Sequence, residues 1–376
     1  MALLGERLDK PSYSILRSLK GGTSGEVHEA DHLVFGRKCV QKTYSTLGLE
    51  DAAAHREPRL LHRIKHDHVA EVLEAQYDNE IDDAITFVSI YYEGRCIARA
   101  FDESYRFSVH QAIRLAMQVL DALAFVHSEP DLLVIHRDVK PGNIFLDASR
   151  TYARLGDWGS AARLESDGQV AGIEGSPLYT PPEAGPVDGR MGVTGDVYGV
   201  GMTLFEMLNG PFDYASIDPA RVDARLTKGQ RALPESAFVF APHIPEQLRT
   251  IVRKAMRSKA EERHASPSQL IARLQRISCI DWTFVEGSGL DGRWEGTWPP
   301  NSAENRRRRY EVKSWVLAGG PERGRRRLEA RQAMPASEHF ARFGVDDVTV
   351  DTDDRVVVER FFAAVEARAA QRSPAR

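Results

Sequence analysis

The hydrophobic pattern divides the chain into a β-rich first part and a helical second part. Residues 12–100 contain short runs of β-branched and aromatic residues, which predict strands, around one amphipathic helical segment at residues 50–65. Residues 109–128 place apolar side chains at i, i+3, i+4 and i+7, so they predict a helix with a wide buried face. Residues 195–208 are apolar almost all round, which predicts a helix enclosed by the core.

Toward the C-terminus the pattern predicts two more helices and, after them, a segment that contains both strand and helix. Residues 243–257 and 266–277 have helical spacing, and Ser266 can cap the second helix with Pro267 at its first position. Residues 347–370 predict a strand, a turn and a helix.

Composition excludes several classes of protein. A net charge of −4 gives no global basic field for nucleic acid or a membrane surface. We find no apolar run of about 18 residues, so we expect no membrane span, and the N-terminus lacks the apolar stretch of a signal peptide. Cys39, Cys96 and Cys279 form no metal pattern and no disulfide framework. We interpret them as small buried apolar residues and expect a reducing compartment, the cytoplasm.

A glycine-rich stretch, "LKGGTSGEV" at residues 19–27, lies between two β-rich runs. Such a loop lets backbone N–H groups approach phosphates, although the pattern fits a simple hairpin turn as well. Lys42 follows in a β-rich run and is a candidate point charge for phosphate oxygens. Glu57 lies on the predicted helix 50–65, where it can pair with Lys42 and hold that side chain extended.

Polar and charged residues concentrate in "VIHRDVKPGNIFL", and "GDW" follows shortly afterwards. Asp138 can accept a proton from an attacking hydroxyl, and Lys140 can stabilise developing phosphate charge. Asn143 and Asp157 offer a neutral and an anionic oxygen, the ligands that Mg²⁺ prefers. Together with the glycine-rich loop, these side chains predict a site for phosphoryl transfer from a nucleotide.

These motifs, in this order, resemble those of the eukaryotic-type (Hanks-type) protein kinases over residues 13–277. "HRDVKPGN" is similar to the catalytic loop of that family, "DWG" to its Asp-Phe-Gly and "TPPE" to its Ala-Pro-Glu. The resemblance implies a bilobal α+β fold: a β-rich N-lobe at residues 10–92, a mostly helical C-lobe at 93–278 and a hinge near 90–94. Residues 279–376 then form a C-terminal α+β extension of unknown role.

The resemblance also implies roles for individual residues. Asp138 is the expected catalytic base, assisted by Lys140, and Asn143 and Asp157 are the expected Mg²⁺ ligands. Lys42 is expected to contact the ATP phosphates and to pair with Glu57. The expected nucleotide-binding residues outside the catalytic loop are Gly22, Gly25, Val27, Lys42, Glu57 and Asp157.

Further matches suggest the subclass and two structural contacts. Lys140 together with Thr180, in "GSPLYTPPE", resembles the Ser/Thr subclass, whose substrates are protein hydroxyls. Asp196 is expected to brace the catalytic loop. Arg263 is the expected ion-pair partner of Glu183, and His136 is interpreted as structural.

The chain departs from the family pattern at three positions. Lys20 replaces the first glycine of the phosphate loop and adds positive charge there. Trp158 replaces Phe, which we expect to change how easily the Asp157 segment flips. Ser89 aligns with the residue at the back of the adenine pocket, which predicts unusual room in that pocket.

Two other functions remain open, a pseudokinase or nucleotide-binding scaffold and a small-molecule phosphotransferase. A scaffold that has lost catalysis usually lacks the catalytic base or the metal-binding aspartate, and both are present in this sequence. The peptide-docking segment "GSPLYTPPE" argues against a small-molecule substrate. For regulation, we expect phosphorylation within the segment from Asp157 to Glu183, first at Ser166, with Arg137 as a candidate partner of the phosphate. A loop already ordered without phosphate is the alternative.

The C-terminal extension has two interpretations. Four of the five tryptophans lie between Trp282 and Trp315, and arginine runs follow at 306–309 and 325–327. Aromatic and basic residues together can bind single-stranded nucleic acid, but we rank this interpretation second. We expect a small α+β domain with a Trp-rich core, in which acidic residues of 346–354 pair with the arginines and which can dock a regulatory partner.

Overall fold

The computed structural model describes residues 12–19, 25–47, 56–77, 83–172, 176–185, 188–299, 307–335, 337 and 339–371. The first strands are β1 (Tyr13–Leu19), β2 (Glu26–His32), β3 (Arg37–Ser45), β4 (Val72–Tyr77) and β5 (Ala84–Ile90). They form an antiparallel sheet in the order β1-β2-β3-β5-β4. Helix α1 (Arg56–Arg63) contacts β4 and corresponds to the described part of the helix predicted at 50–65.

The second part of the chain is mainly helical. Its helices are α2 (Ile97–Asp102), α3 (Val109–Ser128), α4 (Val193–Asn209), α5 (Pro219–Leu226), α6 (Glu246–Ala255) and α7 (Pro267–Leu274). Helix α3 begins at a capping box in which Gln111 N donates to Ser108 Oγ at 3.2 Å. Ser266 caps α7 in the predicted way. The bilobal α+β architecture expected from the sequence is confirmed.

Three short strand pairs shape the segment between α3 and α4. These are β6 (Val134–Ile135) with β9 (Ala162–Arg163), β7 (Ile144–Leu146) with β8 (Ala153–Leu155), and β10 (Val170–Ala171) with β11 (Arg190–Met191). The catalytic loop, residues 136–143, connects β6 to β7. Asp157 follows β8, separated from it by one residue. Two antiparallel pairs therefore hold the loop and Asp157 close together.

The described residues between 283 and 371 form a second sheet and a final helix. The strands are β12 (Thr283–Ser288), β13 (Asp291–Trp298), β14 (Arg308–Val316), β15 (Arg326–Ala333) and β16 (Val348–Val350), which pair antiparallel in chain order. Helix α8 (Arg355–Gln371) follows. The predicted strand, turn and helix at 347–370 are confirmed.

The apolar core runs without interruption from the helical part into this extension. Trp282 and Trp294 are fully buried in the same cluster as the inner faces of α3, α4 and α6. Val109 N, at the start of α3, donates to Trp282 O at 2.9 Å. Arg249 of α6 pairs with Glu359 of α8 at 2.9 Å. The extension thus packs directly on the helical part, and the division of the chain at residues 92 and 278 stays a prediction.

Acidic residues neutralise part of the arginine-rich face of the extension. The Asp347 side chain is 5% exposed and accepts from Arg331 Nη1 at 2.6 Å and from Arg342 Nη2 at 3.1 Å. Arg327 Nη2 lies 3.4 Å from the same carboxylate. The expected pairing of the acidic cluster 346–354 with arginines is confirmed at Asp347, which reduces the charge available for nucleic acid.

Helix α3 is the one helix among the described residues whose length and hydropathy bear on the expectation of no membrane span. By length and composition it is apolar enough to cross a membrane, with a mean hydropathy of 1.2. The sequence analysis found no such run because polar residues interrupt the apolar ones at helical spacing. In the fold 61% of this stretch is buried, and one face packs into the core, as in the core helix of a globular protein.

Candidate active site

Lys42 is held between two carboxylates. On β3 it projects toward α1, and its Nζ lies 3.0 Å from Glu57 Oε2. The same ammonium lies 2.9 Å from Asp157 Oδ1, which comes from the segment after β8. The lysine side chain is only 13% exposed, so these contacts are poorly screened by solvent. The predicted pair of Lys42 and Glu57 is confirmed, and Asp157 completes it.

Burial and charge compete in this triad. Burial alone would lower the pKa of Lys42, but Glu57 and Asp157 outweigh it, so its pKa is raised and the ammonium persists. Burial raises the pKa of Glu57, although Lys42 opposes this shift. Burial also disfavours the charge on Asp157, yet Lys42 and, more weakly, His136 hold its pKa below the usual range. Asp157 is therefore an ionised, half-buried oxygen donor, which suits a divalent cation.

Hydrogen bonds to one buried carboxylate on α4, that of Asp196, hold the backbone of the catalytic loop. His136 N donates to Asp196 Oδ2 at 2.8 Å, and Arg137 N donates to Asp196 Oδ1 at 2.9 Å. His127, at the end of α3, lies 2.8 Å from Asp196 Oδ2 through Nε2. Burial would raise the pKa of Asp196, but the hydrogen bond from His127 helps to keep it lowered. The predicted bracing of the catalytic loop by Asp196 is confirmed. The sequence analysis missed His127, which contacts the same carboxylate.

Asp138 is oriented by two neighbours in the loop. Lys140 Nζ donates to Asp138 Oδ2 at 2.7 Å, and Asn143 Nδ2 donates to the same oxygen at 3.0 Å. Asn143 Nδ2 also donates to Asp138 O at 2.8 Å, across the 3₁₀ turn Pro141–Asn143. With its amide nitrogen used in this way, Asn143 keeps its amide oxygen for a cation. Lys140 Nζ additionally reaches Ser176 Oγ at 2.6 Å, a contact that the sequence analysis did not foresee.

Trp158 anchors the segment that carries Asp157. The indole is fully buried, donates from Nε1 to Leu155 O at 3.2 Å and meets the His136 ring edge-on at 4.7 Å. His136 Nε2 lies 3.0 Å from Gly156 O, which supports its structural role. Asp157 itself has a positive φ of 57°. The predicted effect of Trp158 on flipping of this segment stays a prediction.

Part of the phosphate loop is described. Gly25 has a φ of +126°, and a Cβ there would lie 2.4 Å from Thr43 O, so only glycine fits. Val27 pairs with Lys42 across β2 and β3, which puts it beside the lysine. Gly22 and the substitution at Lys20 lie outside the described residues.

The expected hinge follows β5. Ser89 lies on β5 opposite Val40 of β3, and its effect on the adenine pocket stays a prediction. In the hinge, a Cβ on Gly94 would lie 2.0 Å from Asp147 O, so the chain passes very close to the turn after β7. Tyr92 stacks on Phe145 with ring centroids 5.8 Å apart. Close packing thus joins the hinge to the helical part.

The segment expected to dock a peptide is fixed at its far end. Glu183 accepts two hydrogen bonds from Arg263, both at 2.6 Å, and the arginine side chain is fully buried. This bidentate pair confirms the predicted partnership. Arg137 donates from Nε to Ser160 O at 2.5 Å and from Nη1 to Ala171 O at 2.9 Å, so it contacts the backbone of the segment.

The expected phosphorylation site lies in an exposed turn. Ser166 is exposed, between Glu165 and Asp167, and both acids pair with Arg190 at 2.8 and 3.0 Å. The segment on this side is therefore connected by ion pairs without a phosphate. Phosphorylation of Ser166 stays a prediction.

Comparison with known proteins agrees with this geometry. A family model described as "Protein kinase domain" matches residues 13–273. Serine/threonine-protein kinase PrkC of Bacillus subtilis is 28% identical over 262 residues, which cover 67% of this chain and 38% of PrkC. Probable serine/threonine-protein kinase nek2 of Dictyostelium discoideum is 27% identical over 231 residues, 58% of this chain and 53% of that protein. The chain thus spans about half or less of the length of these relatives.

Proposed function

We propose that this chain, which belongs to the protein kinase domain family, transfers the γ-phosphoryl group of ATP to serine and threonine hydroxyls of proteins. The observation that carries the proposal is the placement of Lys42 between Glu57 and Asp157 at 3.0 and 2.9 Å. An extended, charged lysine at this position is what the α- and β-phosphates of a nucleotide require.

The proposed roles follow from the contacts in the loop. Asp138 accepts the proton of the attacking hydroxyl, and the hydrogen bond from Asn143 at 3.0 Å keeps its carboxylate in one orientation. Lys140, already 2.7 Å from Asp138, stabilises negative charge on the transferred group. Asn143 and Asp157 would hold Mg²⁺ through oxygen atoms. A magnesium ion held there would supply positive charge that offsets the charge of the phosphates.

The charge balance of the described site supports a cation there. Three acidic side chains, Glu57, Asp138 and Asp157, face two lysines, Lys42 and Lys140. This arrangement has one negative charge in excess, before the phosphates add more. A divalent ion beside Asp157 offsets both, which is the physical reason for proposing Mg²⁺ with ATP.

A protein hydroxyl as acceptor is supported by the link between the catalytic loop and the docking segment. Lys140 Nζ reaches Ser176 Oγ at 2.6 Å, and Thr180 Oγ1 donates to Ser176 O at 3.2 Å. The lysine that serves the transferred group therefore also positions the segment that would receive a peptide. We propose the cytoplasm, where ATP is available, as the site of action, and a regulatory partner for residues 279–376.

The test is transfer of radiolabelled γ-phosphate from ATP with Mg²⁺, comparing the natural chain with Asp138→Asn on a generic protein substrate. Loss of a general base lowers the rate by about 10²–10⁴-fold. Matched nucleotide binding and matched thermal unfolding of the two proteins serve as the control for folding. Equal label with both proteins would refute the assigned base. Transfer to small molecules alone would refute the proposed acceptor.

A further inference from the structure

A buried carboxylate lies on the same face of the first sheet as Lys42. Glu29 is on β2 opposite Val40 of β3, and Val40 is two residues from Lys42. Side chains alternate along a strand, and directly paired residues share a face, so Glu29 and Lys42 point to the same side of the sheet. Glu29 is only 3% exposed. Burial of a carboxylate is costly unless cations pair with it, so its partners show what it does.

Three cations meet at the Glu29 carboxylate. Arg17 Nη2 of β1 donates to Oε2 at 2.7 Å, and Lys38 Nζ of β3 donates to Oε1 at 3.1 Å. The third is Arg95, whose Nη1 donates to Oε2 at 3.4 Å. Burial would raise the pKa of Glu29, but Arg17 and Lys38 outweigh it, so its pKa is lowered and the carboxylate stays charged. Among its described partners, only Arg95 comes from outside the sheet.

The backbone of Arg95 is bound to the helical part, just after the hinge. Leu146 N of β7 donates to Arg95 O at 2.7 Å, and Gly94 N donates to Leu146 O at 3.1 Å. The Arg95 side chain turns back to the sheet, where Nη1 also donates to Tyr91 Oη and the guanidinium lies 5.1 Å from the centre of that ring. Arg95 has a φ of 61°, which a residue with a side chain adopts only at a cost. Its backbone and side-chain bonds offset that cost.

The two sides of the first sheet are attached to the helical part by different kinds of contact. On the side of β4, Ala70 N donates to Leu155 O at 2.9 Å, and Leu155 N donates to His68 O at 2.8 Å. On the side of β1 and β2, which flank the glycine-rich loop, the ion pair of Glu29 with Arg95 makes the connection. Backbone bonds therefore fix the β4 side, whereas a pair of side chains, which can separate and re-form, holds the β1 and β2 side.

We propose that Arg95 is a positioning residue whose bond to Glu29 holds β1 and β2, and with them the glycine-rich loop, close to the helical part. The distance between the two parts sets the geometry of the nucleotide site, because Lys42 comes from the sheet and Asp157 from the segment after β8. When the pair separates, β1 and β2 can move away from the cleft, and a bound nucleotide leaves sooner. The effect on the nucleotide rests on the proposed function, whereas the restraint on the hinge does not.

The restraint is tested first on the full chain without nucleotide, by amide hydrogen exchange at Gly94 and Leu146. Arg95→Asn cannot reach Glu29, and asparagine tolerates a positive φ, so the backbone conformation is kept. Glu29→Met removes the acceptor from the other side of the pair. We expect both amides to exchange about fivefold faster in each variant. Arg17→Gln is the matched control and should leave both rates unchanged, because it removes a cation that is bonded to Glu29 within the sheet.

Release of nucleotide is measured next, by stopped-flow fluorescence with mant-ADP and Mg²⁺. We expect dissociation to be about fivefold faster in Arg95→Asn and in Glu29→Met, with no further increase in the double variant, because both changes break the same bond. A variant that is merely less stable would lower the amplitude of the signal and leave the rate unchanged. If Arg95 contacted the nucleotide itself, Arg95→Asn would speed release further in the Glu29→Met background, which would overturn a role through Glu29.

The remaining outcomes separate the restraint from the proposed function. Unchanged exchange at Gly94 and Leu146 in both single variants would overturn the restraint, and so would an equal increase in Arg17→Gln. Faster exchange with an unchanged release of mant-ADP would overturn the positioning role. If the natural chain did not bind mant-ADP, the proposed function would be refuted, and the exchange rates alone would decide whether Arg95 restrains the hinge.

Discussion

Glu366 of α8 provides a pH-dependent contribution to stability that can be measured directly. Its carboxylate accepts from Ile280 N at 2.8 Å and from Trp282 Nε1 at 2.8 Å. These bonds tie the last helix to the segment that leaves the helical part. Burial raises the pKa of Glu366 to about 7, although the two donors oppose the shift.

The sign follows from proton binding in the two states. Between the ordinary pKa of 4.5 and about 7, the folded chain holds a proton on Glu366 that the unfolded chain releases. The contribution to the free energy of unfolding is therefore complete below pH 4.5 and is lost as pH rises through 7. Because one pKa unit corresponds to about 1.4 kcal/mol, the loss is about 3 kcal/mol.

The assay is urea unfolding of the natural chain and Glu366→Gln from pH 4.5 to 8.5. The difference in free energy of unfolding between the two isolates Glu366, since every other titrating group is common to both. We expect the natural chain to lose about 3 kcal/mol relative to the variant over this range. Glu261→Gln, at an exposed position, controls for removal of one carboxylate.

Two results would contradict this reasoning. If the natural chain gained stability relative to Glu366→Gln as pH rises, the donors of Ile280 and Trp282 would stabilise the carboxylate more than burial destabilises it. If the difference in free energy of unfolding between the natural chain and Glu366→Gln did not change with pH, water would reach Glu366 in solution. Helix α8 would then be less firmly packed than its contacts indicate.

Three further substitutions test the contacts that hold the site and the core. Lys42→Met should lower the rate of phosphoryl transfer by about 10²-fold or more, as measured by radiolabel transfer. It should also lower the free energy of unfolding by about 3–5 kcal/mol in urea, because two carboxylates lose their partner. Arg263→Lys keeps the charge but loses the bidentate pair with Glu183, so urea unfolding should show a loss of about 1–3 kcal/mol, and no loss would refute the pair's importance. Trp282→Ala removes a fully buried indole and should cost about 3–5 kcal/mol, with a drop in thermal midpoint as the readout; a midpoint equal to that of the natural chain would mean that the extension is not part of the core.

The sequence by itself determined the motifs and the elements that carry them. The helical spacing of residues 109–128 specifies an apolar face, and that face is buried in α3. The order of the catalytic motifs was sufficient to pair Lys42 with Glu57 and Glu183 with Arg263. Such predictions succeed because local periodicity follows from backbone geometry, and because a resemblance over many motifs carries a whole set of contacts with it.

Only the tertiary structure decided which separate segments meet. His127 contacts Asp196 across 69 positions, and Ile280 meets Glu366 across 86, which no local pattern can specify. Periodicity says that a face is buried but not against what, so the core shared between the helical part and the extension was not foreseen.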